Sequence, residues 1–493
     1  MKNTYLLGID IGTSGVKAAV FSPEGSIAAE HTENYNVYYP AEGYAEQDAD
    51  EWYIAAAKAV RALFSDHGIS PADIACIGID GQGWSAIPID REGRVLARTP
   101  IWFDTRAADI CAEFDEKIGA DAIFSVAGNP LQPSYTTPKI IWYERNMPEI
   151  YSRIYKILQS NSFIAYRLTG ELSQDICQSY GLHFFNMRTG CYDEEMAKEF
   201  GIPLSFFPDI SACHDIIGRV TAKASAETGL LEGTPVVAGG LDAACGTLGA
   251  GVMDDGETQE QGGQAGGMSI ATRKYVADKR LILSFHVVPG IYLFQGGTVG
   301  GGGVMNWLDR EFCGGAHRFS ELTELAESVP PGCDGMTFLP YMAGERSPIW
   351  NPKAKGVFYG VDYRKTKAHF IRAALEGTVF ALEHNMRVAK EAGADALRFH
   401  SMGGAANSPF WTQMKADVTG KSIVVPYSDQ ATTLGAAILA GVGCGVYSGF
   451  DEARKKTLRI VRRHEPDPAK KEIYDKVFDR YIELYENLKY MMR

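Results

Sequence analysis

Hydrophobic residues near the start of the chain come in short runs that predict strands. We expect strands at Tyr5–Asp10, Val16–Phe21 and Ser26–Glu30, with a turn at SPEG (Ser22–Gly25), where proline stands second and glycine fourth. The order strand, glycine loop, strand, turn, strand is antiparallel. A Rossmann-type opening, which needs a strand, a loop and then a helix, is therefore disfavoured.

Further along the chain, the spacing of apolar residues alternates between helical and strand-like. Residues 51–64 have helical periodicity, and the run IACIGID (74–80) predicts a compact buried strand. The segment TPVVAGGLDAACGTLGAG (234–251) predicts another strand, which leads into glycines and Asp242. This alternation of helices and strands is typical of an α/β fold.

A second set of elements begins near Thr258. Its strongest members are a strand–loop–strand, a glycine run, a long helix and a strand followed by a helix, at 259–272, 296–303, 366–391 and 399–420. In the last of these, Ser408 is a candidate N-cap, Pro409 lies in the first turn and Gly420 follows the helix end.

Two glycine loops can be placed in register along the chain. The segment DIGTSG (10–15) aligns with QGGQAG (261–266). Each is expected to be a hairpin turn whose backbone amides face a ligand, and together they indicate a duplicated fold. A chain of 493 residues is long enough for two domains. The repeat assigns these domains to 1–252 and 253–493.

Composition narrows the class of protein. Apolar residues make up 45% and charged residues 22%, as in ordinary globular proteins. The net charge of −13 argues against a nucleic-acid or anionic-membrane partner. Nine scattered cysteines without a CxxC pair indicate reduced thiols in a cytoplasmic protein, and the ten dispersed histidines predict no zinc site. The uncharged span Ala431–Phe450 approaches membrane length, but its glycines and threonines favour a buried helix with a glycine-rich exit.

The first glycine loop carries residue types that bind phosphate. Gly12 lets the backbone approach a phosphate, and Thr13 and Ser14 add hydroxyl donors. Lys17 supplies a cation for a transferred phosphoryl group, and Asp10 can hold a magnesium ion or its waters. The alternative is an ordinary hairpin in which glycine serves the turn geometry.

Asp242 stands at the end of a predicted buried strand, beside glycines. A carboxylate there can accept the proton of a substrate hydroxyl during phosphoryl transfer. It can equally be the N-cap of the small-residue helix that follows. The residues alone leave both roles open.

Two segments, 81–90 and 99–107, contain aromatic and polar residues near strand ends. Such a combination suits a sugar, which has an apolar CH face and many hydroxyls. The residues are Gln82, Trp84, Trp102, Asp104 and Arg106. Core packing is the alternative for either tryptophan, and a structural ion pair is the alternative for the aspartate and the arginine.

Seven segments, in order along the chain, carry a family resemblance. They are GIDIGTSGVKAAVF, IWFDTR, SYTTPKIIW, PVVAGGLDAACGTLGAG, PYMAGERSPIWNP, GVFYGVDYRKTKAHFIRAALEG and GGAANSPFWTQMKADVTG. Over nearly its whole length the chain resembles the FGGY family of carbohydrate kinases. The resemblance implies two actin-like ATPase (ribonuclease H-like) domains, with ATP and sugar in an interdomain active-site cleft.

The resemblance also implies a role for each motif residue. Asp10 and Asp242 would hold Mg²⁺, Asp242 would be the catalytic base, and Lys17 would act on the phosphates. The sugar would be faced by Gln82, Trp84, Trp102 and Asp104, all in the N-terminal domain. ATP would be bound by Gly12, Thr13, Ser14, Gly263, Gln264, Ala265, Gly403, Gly404 and Asn407, of which the last six belong to the C-terminal domain. The family also suggests a homodimer.

Three positions depart from the family pattern. Gly83-Trp84 stand where xylulose kinases usually carry Met-His and glycerol kinases carry Arg-Glu. Ala243 replaces a usual Asn or Gln, and Gln264 replaces a usual threonine. The first two departures lie in the predicted sugar pocket and bear on the identity of the sugar, whereas the third bears on the phosphate contacts.

The implied reaction is ATP-dependent phosphorylation of a primary hydroxyl on a ketose or polyol. D-Xylulose, giving D-xylulose 5-phosphate, is the leading acceptor, and L-xylulose, ribulose, erythritol and gluconate are alternatives. Two rivals come from other classes. An actin- or chaperone-like ATPase should lack the sugar pocket, whereas a non-catalytic sugar sensor derived from a kinase is kept open by Ala243 and Gln264.

Overall fold

The computed structural model describes residues 4–427 and 430–492. The chain divides into two compact units. The first contains 4–253, 283–292 and 430–458, and the second contains 254–282, 293–427 and 459–492. The sequence predicted one boundary, after residue 252. The two units are discontinuous in sequence, because two later segments, 283–292 and 430–458, belong to the first unit.

The strands form one large sheet in each unit and several two-stranded pairs. In chain order they are β1 (Tyr5–Ile11), β2 (Gly15–Phe21), β3 (Ile27–Asn34), β4 (Glu46–Gln47), β5 (Ile74–Gly81), β6 (Ile87–Ile89), β7 (Thr99–Pro100), β8 (Lys156–Leu158), β9 (Gln174–Asp175), β10 (Phe185–Asn186), β11 (Cys191–Tyr192), β12 (Ile210–Ser211), β13 (Ile216–Arg219), β14 (Pro235–Val237), β15 (Gly240–Leu241), β16 (Glu257–Gly262), β17 (Gly266–Thr272), β18 (Ile282–Phe285), β19 (Tyr292–Thr298), β20 (Thr337–Leu339), β21 (Val357–Tyr359), β22 (Arg398–Met402), β23 (Ser422–Pro426) and β24 (Ile460–His464).

The α-helices range from single turns to a helix of 26 residues. In chain order they are α1 (Ala49–Ser65), α2 (Ala108–Phe114), α3 (Ala120–Ala127), α4 (Thr136–Asn146), α5 (Pro148–Tyr151), α6 (Ser160–Thr169), α7 (Glu194–Phe200), α8 (Ala222–Thr228), α9 (Asp242–Gly249), α10 (Gly302–Leu308), α11 (Phe319–Glu327), α12 (Lys367–Ala392), α13 (Pro409–Thr419), α14 (Ala431–Gly443), α15 (Phe450–Thr457) and α16 (Pro468–Leu488).

The large sheet of the first unit has the strand order β13-β14-β5-β1-β2-β3, and β15 also pairs with β5. β1 is antiparallel to β2 and parallel to β5, so the antiparallel opening predicted from the sequence is confirmed. Helices α1 and α6 pack against the sheet. The buried core between them includes Leu7, Ile9, Trp52, Val60 and Phe163.

The large sheet of the second unit contains the consecutive strands β17-β16-β22-β23-β24. Their successive pairings are antiparallel, parallel, parallel and antiparallel. The run β2-β1-β5-β14-β13 in the first unit has the same succession of pairings. This correspondence agrees with the duplicated fold that the two glycine loops predict.

Most elements predicted from the sequence are confirmed with small shifts at their ends. The helix predicted at 366–391 is α12, and the one predicted after Ser408 is α13. Ser408 caps α13 by accepting a hydrogen bond from the backbone N–H of Trp411, and Gly420 closes it in a left-handed conformation (φ 66°). The caps were predictable because side-chain oxygens satisfy the first helical amides and glycine has no Cβ penalty at positive φ.

Helix α14 lies within the uncharged span that approaches membrane length. It is buried and ends at glycines, as predicted, and it packs against β1, β5 and α9. Small residues allow this contact. A β-carbon on Gly8 would lie 2.1 Å from the carbonyl oxygen of Thr433, and one on Gly78 would lie 1.9 Å from that of Ala436. The backbone of α14 therefore contacts β1 and β5 directly.

No helix in the described residues is long and apolar enough to cross a bilayer.

His286 is buried in the segment that returns to the first unit. Its Nε2 donates to the carbonyl of Val252 at 3.0 Å, and its Nδ1 accepts from the backbone N–H of Val288 at 2.9 Å. The neutral imidazole thus satisfies both nitrogens, whereas a proton on Nδ1 would face an N–H donor. Burial lowers the pKa of His286 to about 4.

We predict that His286 makes the protein less stable in mild acid. Because its folded-state pKa is depressed below the usual 6.5, the unfolded chain binds more protons between these values, and stability is lost as the pH falls from about 6.5 toward 4. The full effect is on the order of 3 kcal/mol. The measurement is the urea midpoint at pH 7 and pH 5.

The variant His286→Gln should be less stable at pH 7 but should lose less stability on going to pH 5. His67→Gln, at an exposed position, is the matched control and should follow the unaltered protein. An equal pH dependence in His286→Gln and the control would contradict this role.

Candidate active site

The turn between β1 and β2 is the first predicted phosphate loop. The N–H of Gly12 donates to the carbonyl of Gly15 at 3.1 Å, which closes the turn. Tyr35 stabilises the turn through two hydrogen bonds. The hydroxyl of Tyr35 donates to the carbonyl of Gly12, and the backbone N–H of Tyr35 donates to the carbonyl of Ser14 at 3.3 Å. Thr13 lies between them at the tip. The loop conformation is therefore fixed within the first unit.

Asp10 and Lys17 face each other across the β1–β2 ladder. The hydroxyl of Thr432 donates to Asp10 Oδ2 at 3.0 Å, and Lys17 Nζ donates to Gln430 Oε1 at 2.7 Å. Both partners belong to the start of α14, more than 400 residues later in the chain. Sequence reasoning missed both, because two polar residues before an apolar helix do not reveal where the helix packs.

Asp242 is the first residue of α9, directly after β15. The N-cap position is taken by Leu241, and the carboxylate of Asp242 accepts the N–H of Ala243 at 2.6 Å. Burial, followed by the charge of Asp10, raises the pKa of Asp242 to about 7. The N-cap alternative is thus wrong, and the carboxylate is a stronger base than an ordinary aspartate.

Asp80 is a third carboxylate in this region, and sequence reasoning missed it. It is the last residue but one of β5, and it pairs in register with Asp10 on β1 and with Gly240 on β15. Burial, and then the charges of Asp10 and Asp242, raise its pKa well above the usual value. A signal was available, because the tripeptide Gly-Ile-Asp occurs both at 8–10 and at 78–80.

Trp84 belongs to a buried aromatic group. Its ring lies 4.4 Å from that of Tyr135 and 5.7 Å from that of Tyr180, measured between centroids. It adopts a left-handed backbone conformation (φ 62°), which is rare for a bulky residue and is typical of functional segments. Trp102 is 37% exposed, and its Nε1 donates to Thr13 Oγ1 at 3.0 Å.

Gln82 is buried and serves the phosphate turn. Its backbone N–H donates to the carbonyl of Ile11 at 2.9 Å. Its side-chain Nε2 donates to Gln47 Oε1 at 2.7 Å, and its Oε1 accepts from the hydroxyl of Thr13 at 3.4 Å. Gln82 therefore links the segment that carries Trp84 to the turn.

Asp104 is fully buried in an ion pair with Arg106. One carboxylate oxygen accepts the backbone N–H of Ala45 at 2.6 Å, and both accept the guanidinium of Arg106 at 2.8–3.0 Å. Arg106 also bonds Glu46 at 2.7 Å. The structural ion pair, an alternative left open by the sequence, accounts for Asp104, and its sugar-facing role has no support from these contacts.

Lys139 joins the segments that contain Trp84 and Trp102. Its Nζ donates to the carbonyls of Trp84 at 2.8 Å and Ile101 at 3.0 Å. Burial lowers the pKa of Lys139 to about 7, and the charge of Asp104 opposes that effect. The buried charges therefore position the backbone of the two tryptophan segments.

The β16–β17 turn is the second predicted phosphate loop. The N–H of Gly263 donates to the carbonyl of Ala265 at 3.0 Å across the turn. The first residues of α10 approach it closely, since the N–H of Gly302 donates to the carbonyl of Gly263 at 2.8 Å and that of Gly303 to the carbonyl of Gln264 at 3.0 Å. The glycine run at 296–303 makes this approach sterically feasible.

A cavity of about 570 Å³ adjoins this turn in the second unit. Its walls come from the β16–β17 turn, the start of α10, α11 and the 404–411 segment: Gly262, Gly263, Gln264, Gly302, Asn306, Phe319, Ser320, Thr323, Gly404, Ala405, Asn407, Ser408, Pro409 and Trp411. Four of the predicted nucleotide residues therefore share one cavity. The wall formed by α11 was not predicted, because its sequence gives only an amphipathic helix.

Gly403 and Ala265 do not form the walls of this cavity. Gly403 supports it from behind, in a left-handed conformation (φ 81°) where a β-carbon would lie 2.7 Å from the carbonyl oxygen of Gly262. It thus allows β16 and the 404–407 turn to approach each other.

The first unit also contains a thiol cluster that the sequence did not predict. One ligand atom each from Asp175, Cys177 and Cys213 lies within 4.8 Å of the others, and all three residues are buried. The carboxylate of Asp175 already accepts hydrogen bonds from Asn161 and from the backbone N–H of Gln178. No CxxC spacing marks these two cysteines in the sequence, and all nine cysteines are free thiols, as the sequence predicted.

Comparison with known proteins identifies the family. The model for the N-terminal domain of the FGGY family of carbohydrate kinases matches residues 5–249, and the model for the C-terminal domain matches residues 267–444. The chain belongs to the FGGY family of carbohydrate kinases. The predicted two-domain α/β fold and the predicted enzyme class, a phosphotransferase with an alcohol group as acceptor, are thereby confirmed.

Individual members of the FGGY family are similar over nearly their whole length. The chain is 28% identical to a xylulose kinase of Bacillus subtilis (strain 168), over 98% of this chain and 97% of that protein. It is also 28% identical to a gluconokinase of Bacillus licheniformis, over 98% and 95%. The crystal structure of a xylulose kinase from Rhodospirillum rubrum matches with a TM-score of 0.93 and 29% identity, over 99% of both chains. Equal identity to kinases named for two different acceptors leaves the sugar open.

We predict that Asp104 stabilises this FGGY kinase. Asp104→Asn should lower the free energy of unfolding by on the order of 3 kcal/mol, because it removes one charge from a buried pair. Glu113→Gln is the control, since its partner Arg145 lies in an exposed pair, and it should change stability little. Urea unfolding measures both. A higher KM for the sugar with unchanged unfolding would instead restore the sugar-facing role.

Proposed function

We propose that this protein transfers the γ-phosphoryl group of ATP to a primary hydroxyl of a ketose or polyol, with D-xylulose as the leading acceptor and D-xylulose 5-phosphate as product. The proposal rests most on three residues of the first unit, Asp10, Lys17 and Asp242. Asp10 and Asp242 are half-buried carboxylates beside the carboxyl ends of β1 and β15, and Lys17 faces Asp10.

Asp242 is the proposed catalytic base. It accepts the proton of the sugar hydroxyl as the bond to phosphorus forms. Its raised pKa, about 7, supports this role, because a base works best when its pKa is near the working pH.

Lys17 and the β1–β2 turn are proposed to bind the phosphates. The amides of Thr13 and Ser14 and the ammonium of Lys17 would stabilise negative charge on the transferred group. Mg²⁺ fits beside them, held by Asp10 and Asp242, because the buried Oδ1 of Asp10 has no hydrogen-bond donor in residues 4–427 and 430–492. When bound, the cation neutralises charge on the phosphate oxygens.

The cavity of the second unit is proposed to bind the adenosine of ATP. Its volume of about 570 Å³ lies within the usual range for ligand pockets. Gly404 and Asn407 would border the nucleoside, with Gly403 behind them, and Gly263 to Ala265 would contact its phosphates. Phe319 and Trp411 add apolar surface suited to a purine.

The sugar is proposed to bind in the first unit, beside Trp84, Trp102 and Gln82. The xylulose kinases among the relatives support a ketopentose, and the gluconokinase supports gluconate as the second candidate. In this proposal the N-terminal domain, 1–252, carries the sugar site and the catalytic base. The C-terminal domain, 253–493, carries the adenosine site. We further propose that the protein acts in the cytoplasm as a homodimer.

The test is ADP release with Mg²⁺ and ATP across a panel of D-xylulose, L-xylulose, D-ribulose, erythritol, gluconate and glycerol. We expect D-xylulose to raise ADP release far above the rate without sugar. A higher rate with gluconate than with D-xylulose would make gluconate the acceptor and leave the proposed kinase reaction in place. Sugar binding without ADP release from any member would favour the sensor.

Asp242→Asn should lower kcat for the preferred sugar by about 100-fold or more, since general base catalysis contributes 10²- to 10⁴-fold. Sugar binding, followed by tryptophan fluorescence, should persist because the amide keeps the shape of the side chain. Unchanged turnover in this variant would remove Asp242 from the mechanism.

Gly404→Leu should weaken ATP binding by at least about tenfold. A β-carbon on Gly404 meets no atom within 4 Å, so a larger side chain would extend into the cavity without disturbing the fold. Gly404→Ala is the matched control and should bind ATP nearly normally. Fluorescent ATP-analogue titration measures both. Equal ATP affinity in Gly404→Leu and in the unaltered protein would show that the adenosine does not bind in this cavity.

A further inference from the structure

Asp80 is buried in β5, one residue before the strand ends at Gly81. It is 0% exposed, and neither of its carboxylate oxygens has a hydrogen-bond partner within the described parts of the chain, 4–427 and 430–492. Buried polar groups in proteins are almost always hydrogen-bonded, and buried charges are paired or coordinate metals. An unpartnered carboxylate at this depth therefore requires a proton or a cation.

The strand register directs Asp80 toward the other carboxylates. β1 and β5 are parallel, with Asp10 opposite Asp80, so the two side chains lie on the same face of neighbouring strands. Oδ1 of Asp10 is also buried and unpartnered among the described residues. Asp242 follows β15, which pairs with β5 on its other side. β5 thus carries Asp80 between the strands that lead to the two proposed metal ligands.

The charge of Lys17 opposes the effect of burial on the pKa of Asp10, yet that pKa remains raised. Lys17 is the cation opposite Asp10, and its Nζ is bonded to Gln430. Asp10 Oδ2 also accepts a hydrogen bond from the neutral hydroxyl of Thr432 at 3.0 Å. Carboxylate oxygens are the ligands that Mg²⁺ prefers, and Mg²⁺ keeps several waters, so a carboxylate can act on the ion directly or through water.

We infer that Asp80 is a third carboxylate of the cation site, and that Asp10, Asp80 and Asp242 together bind a divalent cation before any nucleotide arrives. The inference rests on the proposed function only in taking this cation to be that of the phosphoryl transfer. The inference gives Asp80 a role in binding the cation. Gln82 and Trp84, in the same segment, carry no carboxylate that could take this role.

A neutral role for Asp80 is the competing explanation. A protonated Asp80 would donate a hydrogen bond to Asp10 and need no cation. The variant Asp80→Asn separates the two, because an asparagine amide can still donate to Asp10 but carries no charge for a cation. A neutral role survives this substitution, whereas a cation-binding role does not.

The experiment is a titration of the full-length protein with Mn²⁺, free of nucleotide and sugar, followed by the electron paramagnetic resonance signal of unbound Mn²⁺. We expect the dissociation constant to rise at least tenfold in Asp80→Asn. Asp90→Asn, in a turn where the carboxylate is bonded to Arg94, is the control and should bind as the unaltered protein does. In chelator, without divalent cations, Asp80→Asn should melt at a higher temperature than the unaltered protein, because carboxylate repulsion is relieved.

Equal Mn²⁺ affinity in Asp80→Asn and in the unaltered protein would overturn the inference and leave the kinase proposal intact. If no sugar of the panel raised ADP release while Mn²⁺ affinity still fell in Asp80→Asn, the proposed reaction would be overturned and the inference about Asp80 would stand. Failure of the unaltered protein to bind Mn²⁺ without nucleotide would overturn the inference as stated, whatever the panel shows.

Discussion

The close approach of α14 to the sheet of the first unit is the constraint on which the proposed catalytic residues depend. Glycines at positions 8 and 78 leave no side chain between the strands and the helix, so the backbone carbonyls of α14 rest on β1 and β5. With the helix at this depth, Thr432 reaches Asp10 and Gln430 reaches Lys17. Any larger residue at either glycine would lift the helix and remove both contacts.

The same two strands explain why the carboxylates are basic. Parallel strands bring their carboxyl ends to one edge, so the Gly-Ile-Asp tripeptides of β1 and β5 deliver two aspartates side by side. Asp242 joins them after β15. Burial disfavours the charged form of each carboxyl group and raises its pKa, and the negative charge of Asp10 adds to this effect at Asp80 and at Asp242. A site of this kind is unfavourable without cations and suited to holding them.

The two units use one strand order for different purposes. In the second unit Gln261 on β16 pairs with Met402 on β22, the positions that correspond to Asp10 and Asp80 in the first. The second unit therefore has no carboxylate at these two positions, and it forms a cavity beside its glycine turn. Duplication of the fold thus supplied two similar edges, and divergence at a few side chains gave one of them acidic groups and the other a pocket.

The sequence by itself determined the local structure, the family and most of the motif residues. Strand alternation, helix caps and the two glycine turns depend on neighbouring residues, which is why Ser408, Gly420 and the β1–β2 hairpin were predictable. Only the tertiary structure decided which distant residues meet. It brought α14 to Asp10, engaged Asp104 with Arg106, and set Asp80 beside Asp10. These contacts depend on strand register and on helix packing across hundreds of residues, and no local pattern encodes them.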